Sequence, residues 1–255
     1  MIFSLNNVAY SYTKNNRFSL GPLSFVLQSD AVTALVGSNG SGKTTLIRVL
    51  LNELVHYTGE YSIDSSPVKD LTGSLLYNHR IGYAPEHALL DEQLSGYEIL
   101  SIVKEIHNID STTFNTTLND YKQLMQVDSW FETAPCREYS QGMRKKVSLM
   151  IAFLSAVNYL VIDEPTNGLD PIAVFGVKKL LTRCKEEGRG VLVSSHILDF
   201  IEKIAQNIII LNKGSLAFAG SVQGLLQKSP GKSLDEIYYD IFTSNANSTV
   251  GSSLR

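Results

Sequence analysis

Three stretches of this sequence have residue types and spacings suited to phosphate chemistry. The first is Gly37-Ser38-Asn39-Gly40-Ser41-Gly42-Lys43-Thr44-Thr45, which fits the phosphate-binding pattern G-x-x-x-x-G-K-[ST]. Composition alone would produce that pattern in roughly one in a hundred chains of this length. Without a Cβ, Gly37, Gly40 and Gly42 let the backbone take positive φ and turn its N–H groups inward. Those groups, together with a helix start, form a site for phosphate oxygens. Lys43 would reach the β- and γ-phosphates, and the Thr44 hydroxyl would ligate Mg²⁺. The second stretch is Tyr159-Leu160-Val161-Ile162-Asp163-Glu164, apolar residues ending in two carboxylates. Asp163 at a strand end can hold the Mg²⁺ shell, and Glu164 is a candidate base to polarise an attacking water. The third is His196, which ends Val191-Leu192-Val193-Ser194-Ser195. Either carboxylate alone would read as a surface acid, and the histidine alone as a core residue. With the phosphate loop present, the three are expected to meet.

Their positions require particular elements. Ala31-Val32-Thr33-Ala34-Leu35-Val36 is a short apolar run of strand length, and Leu46-Ile47-Arg48-Val49-Leu50-Leu51 can continue a helix. Strand, loop and helix are the context the phosphate pattern needs. Residues 1 to 30 read as antiparallel strands joined by a hairpin near Lys14-Asn15-Asn16. Residues 59 to 64 read as part of a further hairpin, and residues 81 to 84 as a strand stopped by Pro85. From residue 86 to about 155 the pattern is helical. Tyr97, Leu100, Ile102, Val103 and Ile106 form one expected apolar face, and Leu118, Tyr121, Leu124 and Met125 another. The Ser, Thr and Asn cluster from 110 to 117 reads as the loop between them. Ser140 is a good N-cap for a third helix beside Gly142, which leaves two readings open: a plain capped helix or an anion site. Strand and helix alternate again from residue 159. Asp170-Pro171 starts one helix and Gly188 closes it. Residues 243 to 255, rich in Ser and Asn, read as disordered.

With 255 residues, 44% hydrophobic and 18% charged, the chain can form one large domain with a sizeable core or two small ones. The net charge of −3 gives no sign of a nucleic-acid surface, and Arg144-Lys145-Lys146 reads as a solvated helix face. Cys136 and Cys184 lack any metal-ligand spacing and read as reduced thiols. Neither a signal-peptide pattern nor a membrane-length apolar run is visible, so the chain itself is not expected to cross a membrane. His56, His79, His87 and His107 lack the setting of His196.

In motif order and spacing, the sequence resembles the nucleotide-binding subunits of ABC (ATP-binding cassette) transporters over nearly its full length. The matching stretches are residues 37 to 45, the loop at Glu86, the signature Tyr139-Ser140-Gln141-Gly142-Met143, residues 160 to 164, the D-loop Asn167-Gly168-Leu169-Asp170, and His196. The resemblance implies a P-loop α/β fold with a mostly parallel core sheet flanked by helices, an antiparallel β subdomain and a helical subdomain. It implies a single domain over 1–242, with the nucleotide-binding core at 1–85 and 156–220, the helical part at 86–155 and a C-terminal segment at 221–242. It further implies a head-to-tail dimer, with a copy or a relative, around two ATP molecules. Each ATP would lie between one subunit's phosphate loop and the other's Ser140 and Gly142. Tyr12 would stack on adenine, Thr45 would sit near the phosphates, and His196 would touch the γ-phosphate and the attacking water. Asp170 would communicate across the dimer. Residues 86 to 155 would dock on a separate membrane permease, which places the protein peripherally on the cytoplasmic face of the membrane.

Two departures from the family pattern stand out. The usual Gln of the loop after the second core strand is Glu86, still able to bind Mg²⁺ or its water. The usual L-S-G-G-Q keeps its serine and second glycine but ends in Met143. Both variants are similar to those of ABC-2-type and related bacterial exporters, which tilts the reading toward export. The alternative is a soluble ABC ATPase of translation or DNA repair. Members of those groups carry tandem cassettes or long coiled-coil insertions, neither of which is present. A non-hydrolysing regulator fits poorly with intact Lys43, Asp163, Glu164 and His196. A GTPase fits poorly with Asn212-Lys213-Gly214-Ser215, which lacks the aspartate of a guanine-reading motif.

Overall fold

A computed structural model describes residues 1–12, 18–68, 80–155 and 157–250, with side chains through residue 243. The first half runs β1 (Phe3–Ser11), β2 (Ser19–Leu27), β3 (Val32–Val36), α1 (Lys43–Leu50), β4 (Thr58–Ile63), β5 (Ser66–Pro67) and β6 (Ile81–Ala84). Four helices follow: α2 (Gly96–Ile106), α3 (Ser111–Met125), α4 (Trp130–Thr133) and α5 (Gln141–Ser155). The second half runs β7 (Tyr159–Asp163), α6 (Pro171–Glu186), β8 (Gly190–Ser194), α7 (Leu198–Ile204), β9 (Asn207–Asn212), β10 (Ser215–Ser221), α8 (Val222–Gln227) and α9 (Leu234–Val250).

The strands form two sheets. One has the order β2-β1-β4-β5 and is antiparallel. The other has the order β10-β9-β3-β8-β7-β6 and is parallel except for β10 at its edge. Burial explains the difference in sequence texture. Every residue of β3, β7 and β8 is buried, as expected of parallel strands covered on both faces. In β2 the second half alternates buried and exposed, the mark of a strand with one wet face. The mixed architecture agrees with the sequence reading. The turn placed at residues 14 to 16 lies outside the described residues.

The helical part departs from the expected pattern in three places. Residues 111 to 117 are not a loop but the first two turns of α3. Asp110 caps them by accepting from the Thr113 N–H at 2.9 Å, and Phe114, Leu118, Tyr121 and Met125 supply the buried stripe. Capping and packing outweigh the weak helix propensity of Ser, Thr and Asn. On α2, Leu100 is buried but Tyr97, Ile102 and Ile106 are exposed, so the expected apolar face is split. The tail differs as well: α9 continues through residues 243 to 250, expected to be without regular structure. Residues 251–255 lie outside the description.

α3 and α6 meet almost backbone to backbone. A Cβ added at Gly176 would lie 2.1 Å from the Leu124 carbonyl oxygen. Helix propensity alone would make Gly176→Ala stabilising by about 1 kcal/mol. The contact reverses the sign, and the variant is expected to lose about 1–3 kcal/mol through overpacking. Urea unfolding measures it; a higher midpoint would mean that the two helices separate freely.

Candidate functional site

The phosphate loop follows β3, His196 follows β8 and the carboxylate pair closes β7. Since β3, β8 and β7 are consecutive in the sheet, their C-terminal ends bring these residues together. They line one cavity of about 480 Å³, which takes in residues 38 to 45, Glu86, Asp163, Glu164, Asn167, His196 and the ring of Phe18.

The loop's glycines serve different ends. Gly40 and Gly42 have φ of +76° and +107°, the left-handed conformation that favours glycine. Gly37 does not; it is needed for space, since a Cβ there would lie 2.3 Å from Ser41 Oγ and 2.7 Å from the Leu211 carbonyl. Gly42 caps α1, so Lys43 is that helix's first residue. Buried Lys43 Nζ donates to the Gly37 carbonyl at 2.8 Å and to that of Ser38 at 3.4 Å, folding its charge back over the loop.

The two adjacent carboxylates have separate partners. The Thr44 hydroxyl donates to Asp163 Oδ2 at 3.2 Å, and the Ser194 hydroxyl donates to Asp163 Oδ1. Ser194 lies opposite Asp163 in the β7–β8 register, and its Oγ also accepts from the Glu164 N–H at 3.0 Å. Glu164 takes a φ of +48°, an uncommon conformation for a residue with a Cβ. That turn carries its carboxylate away from Asp163, to 2.9 Å from His196 Nδ1. Asp163 and Glu164 are buried, whereas the His196 side chain is 57% exposed at the cavity mouth. Thr44 and Asp163 thus present hard oxygen donors side by side, the chemistry that suits Mg²⁺ completed by phosphate oxygens. Among the described residues no group of three His, Cys, Asp or Glu side chains is arranged as a metal cage.

Comparison with known proteins agrees with this geometry. The family model for ABC transporters matches residues 20–167, more than half of the chain. YthP, an ABC transporter ATP-binding protein of Bacillus subtilis, is 32% identical over 82% of this chain and 83% of its own length. The chain belongs to the ABC transporter family. It is an ATP-binding subunit of that family and an ATPase. The sll0415 ABC transporter ATP-binding protein of Synechocystis is 30% identical over 84% of this chain, which spans 59% of that relative's length. A solved ATP-binding subunit of an ABC transporter superposes with a TM-score of 0.85 at 27% identity, covering 95% of this chain and 100% of the other.

The remaining expected residues of this ABC ATPase are not among those that line the cavity. Tyr12 does not line it; its hydroxyl is 3.3 Å from Thr45 Oγ1, and its ring packs edge-on against Tyr10. Phe18, to which the sequence pattern gave no role, is the aromatic that lines it among the described residues. Ser140 caps α5, accepting from the Met143 N–H at 3.2 Å. Neither Ser140 nor Gly142 lines the cavity. Gly142 instead abuts the D-loop, where a Cβ would come within 2.6 Å of the Gly168 carbonyl. Asp170 caps α6 through the Ala173 N–H at 2.8 Å and pairs with Lys146 at 2.9 Å. The Ala173 N–H first, and Lys146 second, hold its carboxyl below the usual range.

The basic triplet of residues 144 to 146 is the clearest correction. It is not a solvated face. Lys145 is only 2% exposed, and burial pulls its pKa down to about 8 against the opposing pull of Asp163, Glu86 and Glu164. Three basic residues in a row span some 200° of a helix, so they cannot share one face. That geometry was the available signal. Ser194, which holds the Asp163 carboxylate and the Glu164 N–H, has none: a serine near a strand end is unremarkable in sequence.

Proposed function

We propose that this chain powers a membrane transporter by hydrolysing ATP, head to tail with a second cassette and beneath a separate permease, in the direction of export. Each of two ATP molecules lies between the phosphate loop of one subunit and Ser140 and Gly142 of the other. Tyr12 stands by the adenine. ATP binding closes the pair; hydrolysis and phosphate release reopen it. The subunit sits peripherally on the cytoplasmic face of the membrane. The core at 1–85 and 156–220 does the chemistry, and the helical part at 86–155 meets the permease.

The observation that carries the reading is the division of labour between neighbouring carboxylates. Asp163 faces Thr44, so these two residues, with Glu86 at the cavity, would hold Mg²⁺. When bound, Mg²⁺ neutralises charge on the β- and γ-phosphates. Glu164, turned the other way, accepts a proton from the attacking water. His196, beside it, orients that water and the γ-phosphate. Lys43 swings from its loop carbonyls to the phosphates, and the backbone N–H groups of residues 38 to 45 cradle them. Catalysis of this kind rests on positioning and electrostatics.

Coupling to a permease is supported by apolar side chains left in water on the helical side. Leu89, three residues after Glu86, is 93% exposed, and Tyr97, Ile102 and Ile106 are exposed on α2. Among the described residues no helix is long and apolar enough to cross a membrane. The lean toward export rests on Glu86 and on the Tyr139-Ser140-Gln141-Gly142-Met143 signature.

The test is purification of the Glu164→Gln protein with ATP from detergent-solubilised membranes. A stoichiometric polytopic membrane protein is expected to accompany it. Ribosomes, DNA ends or no partner at all would overturn the permease reading and favour a soluble ATPase.

A further inference from the structure

Arg144, Lys145 and Lys146 leave α5 in three directions. Arg144 approaches Glu92, ahead of α2, at 3.5 Å. Lys146 meets Asp170 and also donates to the Gln126 carbonyl at 3.2 Å. Lys145 points inward, and its ammonium has three N–H donors. It gives them to the carbonyls of Asp163 at 2.8 Å, Pro85 at 2.9 Å and Glu86 at 3.4 Å. Its donors are therefore all used, on the end of β7 and on the loop that follows β6.

A buried donor that merely satisfies strand-end carbonyls would not need to be charged. Burying an ammonium is costly, and hydroxyl or amide groups satisfy carbonyls at far lower cost. What distinguishes this position is its connections. One nitrogen atom ties the backbone of Glu86 and the backbone of Asp163 to the helix that begins with Ser140 and Gly142. Glu164 is the next residue along.

We propose that Lys145 is a positioning residue for ATP hydrolysis: it fixes the Glu86 loop and the Asp163–Glu164 strand end against the signature helix. The inference rests on the roles proposed for Asp163, Glu164 and Glu86. Lys145 does not line the cavity; it acts through the backbone of residues that do. The phosphate loop receives none of its hydrogen bonds, so nucleotide binding there does not depend on it. Hydrolysis, and the part of nucleotide affinity contributed by Mg²⁺, do.

Lys145→Met keeps an unbranched side chain one atom shorter and removes every donor. Lys145→Gln keeps two N–H donors without the charge, and it decides the matter if Lys145→Met does not fold. Binding of mant-ADP is measured with and without Mg²⁺, alongside kcat and KM for ATP. Without Mg²⁺ both variants are expected to bind mant-ADP within about twofold of wild type. The gain in affinity on adding Mg²⁺ should shrink about tenfold. The kcat should fall on the order of 100-fold in Lys145→Met, the size of effect a misplacement of about 1 Å produces, and less in Lys145→Gln. The KM should change much less than kcat. Wild-type kcat and Mg²⁺ gain in a folded variant would overturn the inference. So would an equal loss of Mg²⁺-free binding, which would mark Lys145 as general scaffold. Glu164→Gln run in parallel separates the two failures: normal hydrolysis there removes the underlying roles, whereas its loss beside normal Lys145 variants removes only this inference.

Discussion

Glu164→Gln is expected to bind ATP as wild type does and to hydrolyse it on the order of 100- to 10,000-fold more slowly, the range for a lost general base. The amide has the shape of the carboxylate and can still hydrogen-bond His196 Nδ1, now at 2.9 Å from Glu164 Oε2. The left-handed backbone at residue 164 also suits Gln as well as Glu, since the two have the same Cβ. Ser194 holds that backbone through the Glu164 N–H. Geometry is therefore kept while the proton acceptor is removed. Phosphate release under saturating ATP, set beside equilibrium binding of ATP, gives both halves. Turnover within a few-fold of wild type would take Glu164 out of the base role and leave His196 to be tested for it.

Lys43→Ala should act at the other step. Loss of a charge-assisted hydrogen bond costs about 1.5–3 kcal/mol, which corresponds to roughly a 10- to 150-fold weaker Kd for ATP. The fold should tolerate the change. Lys43 opens α1, and alanine is the better helix former. What disappears besides the charge is the pair of hydrogen bonds to the Gly37 and Ser38 carbonyls, at the loop's entry. Calorimetric titration with ATP, accompanied by the thermal midpoint, separates lost affinity from lost structure. An unchanged affinity in a folded protein would refute the phosphate-loop role of residues 37 to 45.

The sequence disclosed what local chemistry dictates. Residues 37 to 45 announce their loop because a tight phosphate cradle demands glycine at fixed offsets. The end of β7 is visible because a fully buried strand breaks off in two acids. That His196 joins them follows from adjacent strand ends converging on one face of the sheet. Packing across distant segments stayed hidden. Lys145 belongs to a charge run that composition assigns to water, yet carbonyls of the loop after β6 and of the end of β7 claim it. Residues 111 to 117 look like a loop until the Asp110 cap and the Phe114, Leu118 and Tyr121 stripe are seen together. Phe18 and Ser194 are ordinary residues that matter by where neighbouring strands bring them.

The pairing of Asp163 with Ser194 links function to register. Side chains alternate across a strand, so a slip of one residue between β7 and β8 would turn Ser194 to the opposite face and bring apolar Val193 or polar Ser195 against Asp163. Both strands lie inside the sheet, buried on either face, where no local opening can rearrange them. The carboxylate pair has no partly working form between intact and unfolded. Heat should therefore abolish turnover and melt the central strands in a single transition.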